Sequence, residues 1–197
     1  MNTFAGTLLA FLITATMQNL VLTAGFDASL MLKITRQPRQ IVRFNVLLMI
    51  FSVATTCLFY PIDLLLPNGW ITRMLRPLII VLIACVLYIV ATLLLNRLPD
   101  LQRRVRHLLP ITAFNNVVIG VALLINLQVS VSFFQAIAIA MGASIGFWLL
   151  CAITAEVVER LDNPDIPSSF RGLPGILLFL GLFALALMGF SSVLKLT

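Results

Sequence analysis

Charge is the scarcest thing in this sequence. Of its 197 residues only 10% are Asp, Glu, Lys or Arg, against roughly 25% in an ordinary soluble domain. With 61% hydrophobic residues and a mean hydropathy of +1.10, a water-soluble fold could not cover its apolar surface. That shortage excludes a cytosolic enzyme, a nucleic-acid module and a disordered tail. Histidine is scarcer still: His107 stands alone, and one imidazole does not make a metal site. The three cysteines, Cys57, Cys85 and Cys151, form no CxxC and each lies inside an apolar run. They read as small buried hydrophobes, which excludes a disulfide framework. No phosphate loop, hydrolase triad or His/Cys/carboxylate cluster is present. The chain is therefore not expected to be an enzyme by itself, and it offers no catalytic residue and no metal site.

What is there is apolar length. The uncharged runs cover 1–26, 44–62, 77–96, 108–155 and 172–194. A membrane span needs about 20 such residues at 1.5 Å each to cross roughly 30 Å of hydrocarbon. The fourth run is too long for one span, and Asn126, Gln128, Ser130 and Ser132 interrupt it. The reading is an all-α integral membrane protein with six helices, near 3–26, 43–61, 74–96, 109–126, 132–156 and 174–195. Pro61, Pro67, Asn68 and Gly69 mark the turn between the second and third. No Lys or Arg precedes Lys33, so the first apolar segment is expected to remain as a span.

The few charges are unevenly placed. Ten of the thirteen basic residues fall after the first, third and fifth spans: Lys33, Arg36, Arg39, Arg43, Arg97, Arg103, Arg104, Arg106, Arg160 and Arg171. The other side holds Arg73, Arg76 and Lys195. The positive-inside rule then places those three loops in the cytoplasm and both termini outside, in a cell's inner membrane. The net charge of +6 follows from topology and does not point to nucleic acid. The segment Arg103-Arg104-Val105-Arg106-His107 reads as a surface-lying orientation signal touching lipid headgroups.

Two short stretches look alike. Gln18-Asn19-Leu20-Val21-Leu22 lies in the first span and Asn115-Asn116-Val117-Val118-Ile119 in the fourth, 97 residues on. Three spans precede the second copy's helix, an odd number, so the halves run oppositely through the membrane, the pattern of a 3+3 inverted repeat. One membrane domain is expected over 1–197, with halves about 1–98 and 99–197. Amides in hydrocarbon need partners, so Gln18, Asn19, Asn115 and Asn116 are expected to form a buried polar site. It serves as glue between helices or as a functional site. Gly25 and Gly120, just past each amide pair, are the expected helix-break glycines, permitting a break or a close backbone approach. Asp27 is either an intramembrane carboxylate at such a break or an interfacial acid.

At these residues the chain resembles a known family, the paired membrane subunits of the Rnf and sodium-pumping NADH:quinone oxidoreductase complexes (RnfA/RnfE and NqrD/NqrE). It is most similar to RnfA and NqrE. Ile166-Pro167-Ser168-Ser169-Phe170-Arg171-Gly172, with Ala186-Leu187-Met188-Gly189-Phe190-Ser191, looks like that family's "VPxPFRG…LAFMGFxG". Leu109-Pro110-Ile111-Thr112, Asn115-Asn116 and Gly120-Val121-Ala122-Leu123-Leu124 resemble "LPLITTNCxVLGVALL", and Gln18-Asn19-Leu20-Val21-Leu22 resembles "NNFVL". The resemblance spans the whole chain. It implies six helices, an inverted repeat, outside termini and a homologous partner of opposite orientation, together with the other members of such a complex.

The resemblance also implies a [2Fe–2S] cluster shared between two such chains, one cysteine from each half in "GLCP" and "TNC". Here the first position falls at Asp27 with a short gap, or at Ser29 without one, and the second at Asn116. Clusters want thiolates, and amides and carboxylates are poor substitutes. The resemblance thus implies a member of an ion-translocating electron-transport complex that scaffolds without a cofactor of its own. The alternative is a non-redox carrier that binds a solute or ion at its midplane amides.

Overall fold

The computed structural model describes residues 3–16, 28–35, 38–67, 69–97, 102, 105–127, 131–161, 167 and 172–196. Among these the longer regular elements are all helices: α1 Thr3–Thr16, α2 Ala28–Thr35, α3 Pro38–Leu65, α4 Trp70–Leu95, α5 Leu109–Ala113, α6 Asn116–Leu127, α7 Phe133–Leu161 and α8 Leu173–Leu196. Four stretches are long and apolar enough to cross a membrane: Gln40–Leu65, Trp70–Leu95, Leu109–Asn126 and Phe133–Leu161. Leu173–Gly189 adds a shorter apolar helix.

Local chemistry sets several of the ends. Pro38 opens α3 at the first helical position, where its missing N–H is no loss. Before α7, Ser132 and Gln135 cap each other: the Gln135 N–H reaches Ser132 Oγ at 3.4 Å, and the Ser132 N–H donates to Gln135 Oε1 at 3.0 Å. That reciprocal pair satisfies two donors at the helix start. Gly172, with φ +79°, takes the left-handed backbone just ahead of α8, where a side chain would be strained.

The structure corrects the expected elements in three places. Residues 28–35, expected to belong to a basic loop, form α2, because Met31 and Ile34 are buried in the core. Pro61, expected in the outer turn, lies inside α3, as Pro77 lies inside α4. Both prolines lie on exposed faces, Pro61 towards the end of α3 and Pro77 towards the start of α4. The fourth span, expected continuous over 109–126, is interrupted at Phe114 and Asn115, between α5 and α6.

The core forms where α3 crosses α7. Phe44 stacks obliquely on Phe147 with ring centroids 5.7 Å apart, and the Ser52 hydroxyl donates to the Ala140 carbonyl at 3.4 Å. These two pairings, 44 with 147 and 52 with 140, make the helices antiparallel. Around that centre α1 and α2 pack on α7, while α5 and α6 pack on α3. Ala136, Ala138, Ala140, Gly142 and Ala143 are buried within the chain. A Cβ on Gly142 would meet the Phe11 carbonyl oxygen at 2.6 Å, so α1 and α7 touch backbone to backbone there. α4 is peripheral, and Leu78, Leu82, Ile89 and Leu93 on it are exposed to whatever surrounds the protein.

Candidate functional site

The break in the fourth span is built by Asn115. Its side chain is 2% exposed, and Oδ1 accepts the backbone N–H of Val117 at 2.7 Å. Its carbonyl accepts from Val118 and Ile119, while its own N–H turns back to the Thr112 carbonyl at 3.4 Å. Asn115 is therefore the N-cap of α6, a role that asparagine fills better than almost any residue. Thr112 tightens the preceding turn, its hydroxyl shared between the Leu108 and Leu109 carbonyls at 3.0 Å each. The amide nitrogen of Asn115 has no hydrogen-bond partner.

Asn116, the next residue, faces the other way and is exposed at the first position of α6. The two adjacent amides thus have different surroundings, one sealed in the core and one on the surface of the chain. Gly120 does not make the break. It lies buried inside α6, five residues past Asn115. Gln18, Asn19, Gly25 and Asp27 lie outside the described residues.

A second polar group lies where α3 ends, α4 begins and α6 ends. Arg76 Nε is 2.8 Å from Asp63 Oδ1, with the side chains 13% and 23% exposed. The Arg76 terminal nitrogen donates to Asn126 Oδ1 at 2.5 Å, and Asn126 Nδ2 donates to Asp63 Oδ2 at 2.5 Å. The three side chains close a ring in which the carboxylate is matched by one cation and one amide. One turn before Asp63, the Tyr60 hydroxyl donates to the Val131 carbonyl at 2.8 Å. Tyr60, Asp63, Asn126 and Val131 line a cavity of about 190 Å³.

Such a ring holds helix ends together and leaves little free charge. A half-buried carboxylate without Arg76 would face a desolvation cost of several kcal/mol in principle. The ring was not expected from the sequence, where Arg76 stood as an outer-side charge and Asn126 as a run breaker. The signal was Asp63, an acid bounding one uncharged run while Arg76 bounds the next.

Cys57, Cys85 and Cys151 lie free on three different helices, the last one buried. Among the described residues no three His, Cys, Asp or Glu side chains are grouped to hold an ion.

Comparison with known proteins gives a consistent result. Residues 7–194 match the family described as Rnf-Nqr subunit, membrane protein. The protein that forms the A component of the ion-translocating oxidoreductase complex in Pasteurella multocida is 28% identical over 189 residues, covering 95% of this chain and 98% of that protein. Its namesake from Histophilus somni is 33% identical over 147 residues, 74% of this chain and 75% of its own length. A shorter match, 35% over 114 residues, is to the A component of the Na+-translocating ferredoxin:NAD+ oxidoreductase complex of Acetobacterium woodii, covering 58% of this chain and 59% of that one.

Proposed function

This chain belongs to the Rnf-Nqr family of membrane protein subunits, and from that premise we propose that it is a scaffolding member of an ion-translocating electron-transport complex, with no iron–sulfur cluster of its own. The observation that carries the proposal is the exposed Asn116 at the break in the fourth span. The family resemblance puts a cluster cysteine at that position. An exposed residue at a helix start is well placed to meet a counterpart on a second chain, but an amide offers no thiolate. Asn115 beside it is committed to capping α6. The residues at this position do not fit the cluster, and no electron path is drawn through it.

The proposal includes a homologous partner chain of opposite orientation, and six spans arranged as two inverted halves in a cell's inner membrane with both termini outside. Two features support the halves. The α3–α7 pair at the centre is the second span against the fifth. Around it, α1 in the first span packs on the fifth, and α5 and α6 in the fourth pack on the second, the exchange a two-fold axis in the membrane plane produces. Gln18, Asn19 and Asp27 would then stand opposite Asn115 and Asn116 across that axis.

The test is metal analysis of the anaerobically purified chain with its homologous membrane partner. The expected result is no stoichiometric iron and no paramagnetic signal on reduction. About two irons per pair, in line with a [2Fe–2S] centre, lost on Asp27→Ala, would make Asp27 a ligand and overturn the reading.

A further inference from the structure

At the end of α4 opposite the Asp63–Arg76 ring, a cavity of about 250 Å³ lies between α4 and the turn that leads into α5. One wall is a single face of α4, with Tyr88, Thr92, Leu95 and Asn96 in successive turns. The other wall is Gln102, Arg106 and Leu109. Gln102 Nε2 donates to Asn96 Oδ1 at 2.5 Å, tying the two walls together. Thr92 keeps its hydroxyl on the Tyr88 carbonyl at 2.8 Å. Among the described residues no carboxylate lines the cavity and none pairs with Arg106.

We propose that this cavity binds the headgroup of an anionic phospholipid of the phosphatidylglycerol type, with Arg106 on the phosphate. Four observations converge. The cavity holds an exposed guanidinium with no acid partner among the described residues, and arginine pairs with phosphate through charge-assisted, often paired, hydrogen bonds. Its size matches roughly eight water volumes at about 30 Å³ each, which accommodates a phosphodiester but not a whole lipid. It sits at the end of an apolar helix whose outer flank, with Val90, Leu93 and Leu94 exposed, gives acyl chains a surface to lie on. It also occupies the most basic stretch of the chain, with Arg97, Arg103 and Arg104 nearby in sequence. Basic pockets between spans at this boundary are where anionic headgroups are held.

The helix end explains why the headgroup should carry hydroxyls. The last carbonyls of a helix lack intrahelical donors and carry partial negative charge. An anion placed against them alone would be repelled. Arg106 offsets that field, and glycerol hydroxyls supply donors. A choline headgroup supplies no donor and brings its own cation beside the arginines. Such a site requires only that the chain be embedded in a membrane and is independent of any redox role.

Native mass spectrometry of the full-length chain, released from micelles doped with defined lipid, tests it. One phosphatidylglycerol per chain should be retained at least tenfold better than phosphatidylcholine. Arg106→Gln should abolish that preference and Arg106→Lys should keep part of it. Arg97→Gln, which removes the same charge outside the cavity, should keep it. Inorganic phosphate at millimolar concentration should not displace the lipid. Because Arg106→Gln could perturb folding, Gln102→Leu is a second variant, expected to weaken retention severalfold while the lipid-free thermal midpoint stays that of the parent. Equal retention by the parent and Arg106→Gln, equal retention of both lipids, or displacement by inorganic phosphate would each overturn the proposal.

Discussion

Gly142 of α7 and Phe11 of α1 meet backbone to backbone, so closely that a methyl group at 142 would stand 2.6 Å from the Phe11 carbonyl oxygen. Neither helix can yield without losing its other contacts. Gly142→Ala should therefore destabilise the protein by about 1–3 kcal/mol, the usual cost of overpacking. Gly181→Ala in α8, where nothing lies within 4 Å, should be neutral or stabilising by up to about 1 kcal/mol. Thermal unfolding of both variants in the same detergent checks the contrast, and equal effects would refute the close contact.

The Asp63–Arg76 pair predicts strong coupling. Asp63→Asn and Arg76→Gln should each cost about 2–3 kcal/mol, somewhat below a fully buried pair because both side chains retain some exposure. The double variant should cost less than the sum, since it strands no charge. A double-mutant cycle on thermal stability measures this. Additive losses would mean that the two charges do not interact.

For Asn115 the prediction separates capping from packing. Asn115→Ala should lose about 1–2 kcal/mol, the cost of an empty N-cap. Asn115→Ser should recover most of it, because a serine oxygen can still take the Val117 N–H and the amide nitrogen makes no bond to lose. If serine is as damaging as alanine in thermal unfolding, Asn115 acts by filling space.

The membrane orientation is open to a direct test. In a background without Cys57, Cys85 and Cys151, a cysteine probe replacing Asn68 should react with an impermeant thiol reagent added outside. One replacing Arg104 should react only once the inner face is opened. The opposite pattern would invert the topology drawn from the basic loops.

The expected sidedness of those loops rests on counts of charge, which need no knowledge of packing. Four of the expected spans followed from apolar length, at Gln40–Leu65, Trp70–Leu95, Leu109–Asn126 and Phe133–Leu161. The position of the helix break did not follow. Gly120 looked like the break because glycine permits bending, whereas Asn115 makes it, since an asparagine side chain competes with the backbone for the next turn's N–H. The pattern Asn115-Asn116 was visible as a polar pair, but nothing in the sequence says that one faces the core and the other the surface. α2 was hidden for a related reason: Lys33 marked a loop, while burial of Met31 and Ile34 decided in favour of helix. Asp63, Arg76 and Asn126 stand far apart along the chain, and only the hairpin geometry of α3 and α4 brings the first two together. Opposite charges that close two neighbouring runs on the same side of the membrane should be read as partners.

That ring bears on how the chain is made as well as how it stands. A growing membrane protein hands its helices to the bilayer in order, and a lone arginine or aspartate within a helix raises the cost of entry by about 2.5–3.5 kcal/mol at the bilayer centre. Arg76 lies in the second turn of α4, and Asp63 lies near the end of α3. Entering as a hairpin, the two arrive with their charges cancelled. Entry of α3 and α4 as a pair would match the two charges at once, whereas Asn126, 50 residues beyond Arg76, can close the ring only after the fourth span has followed.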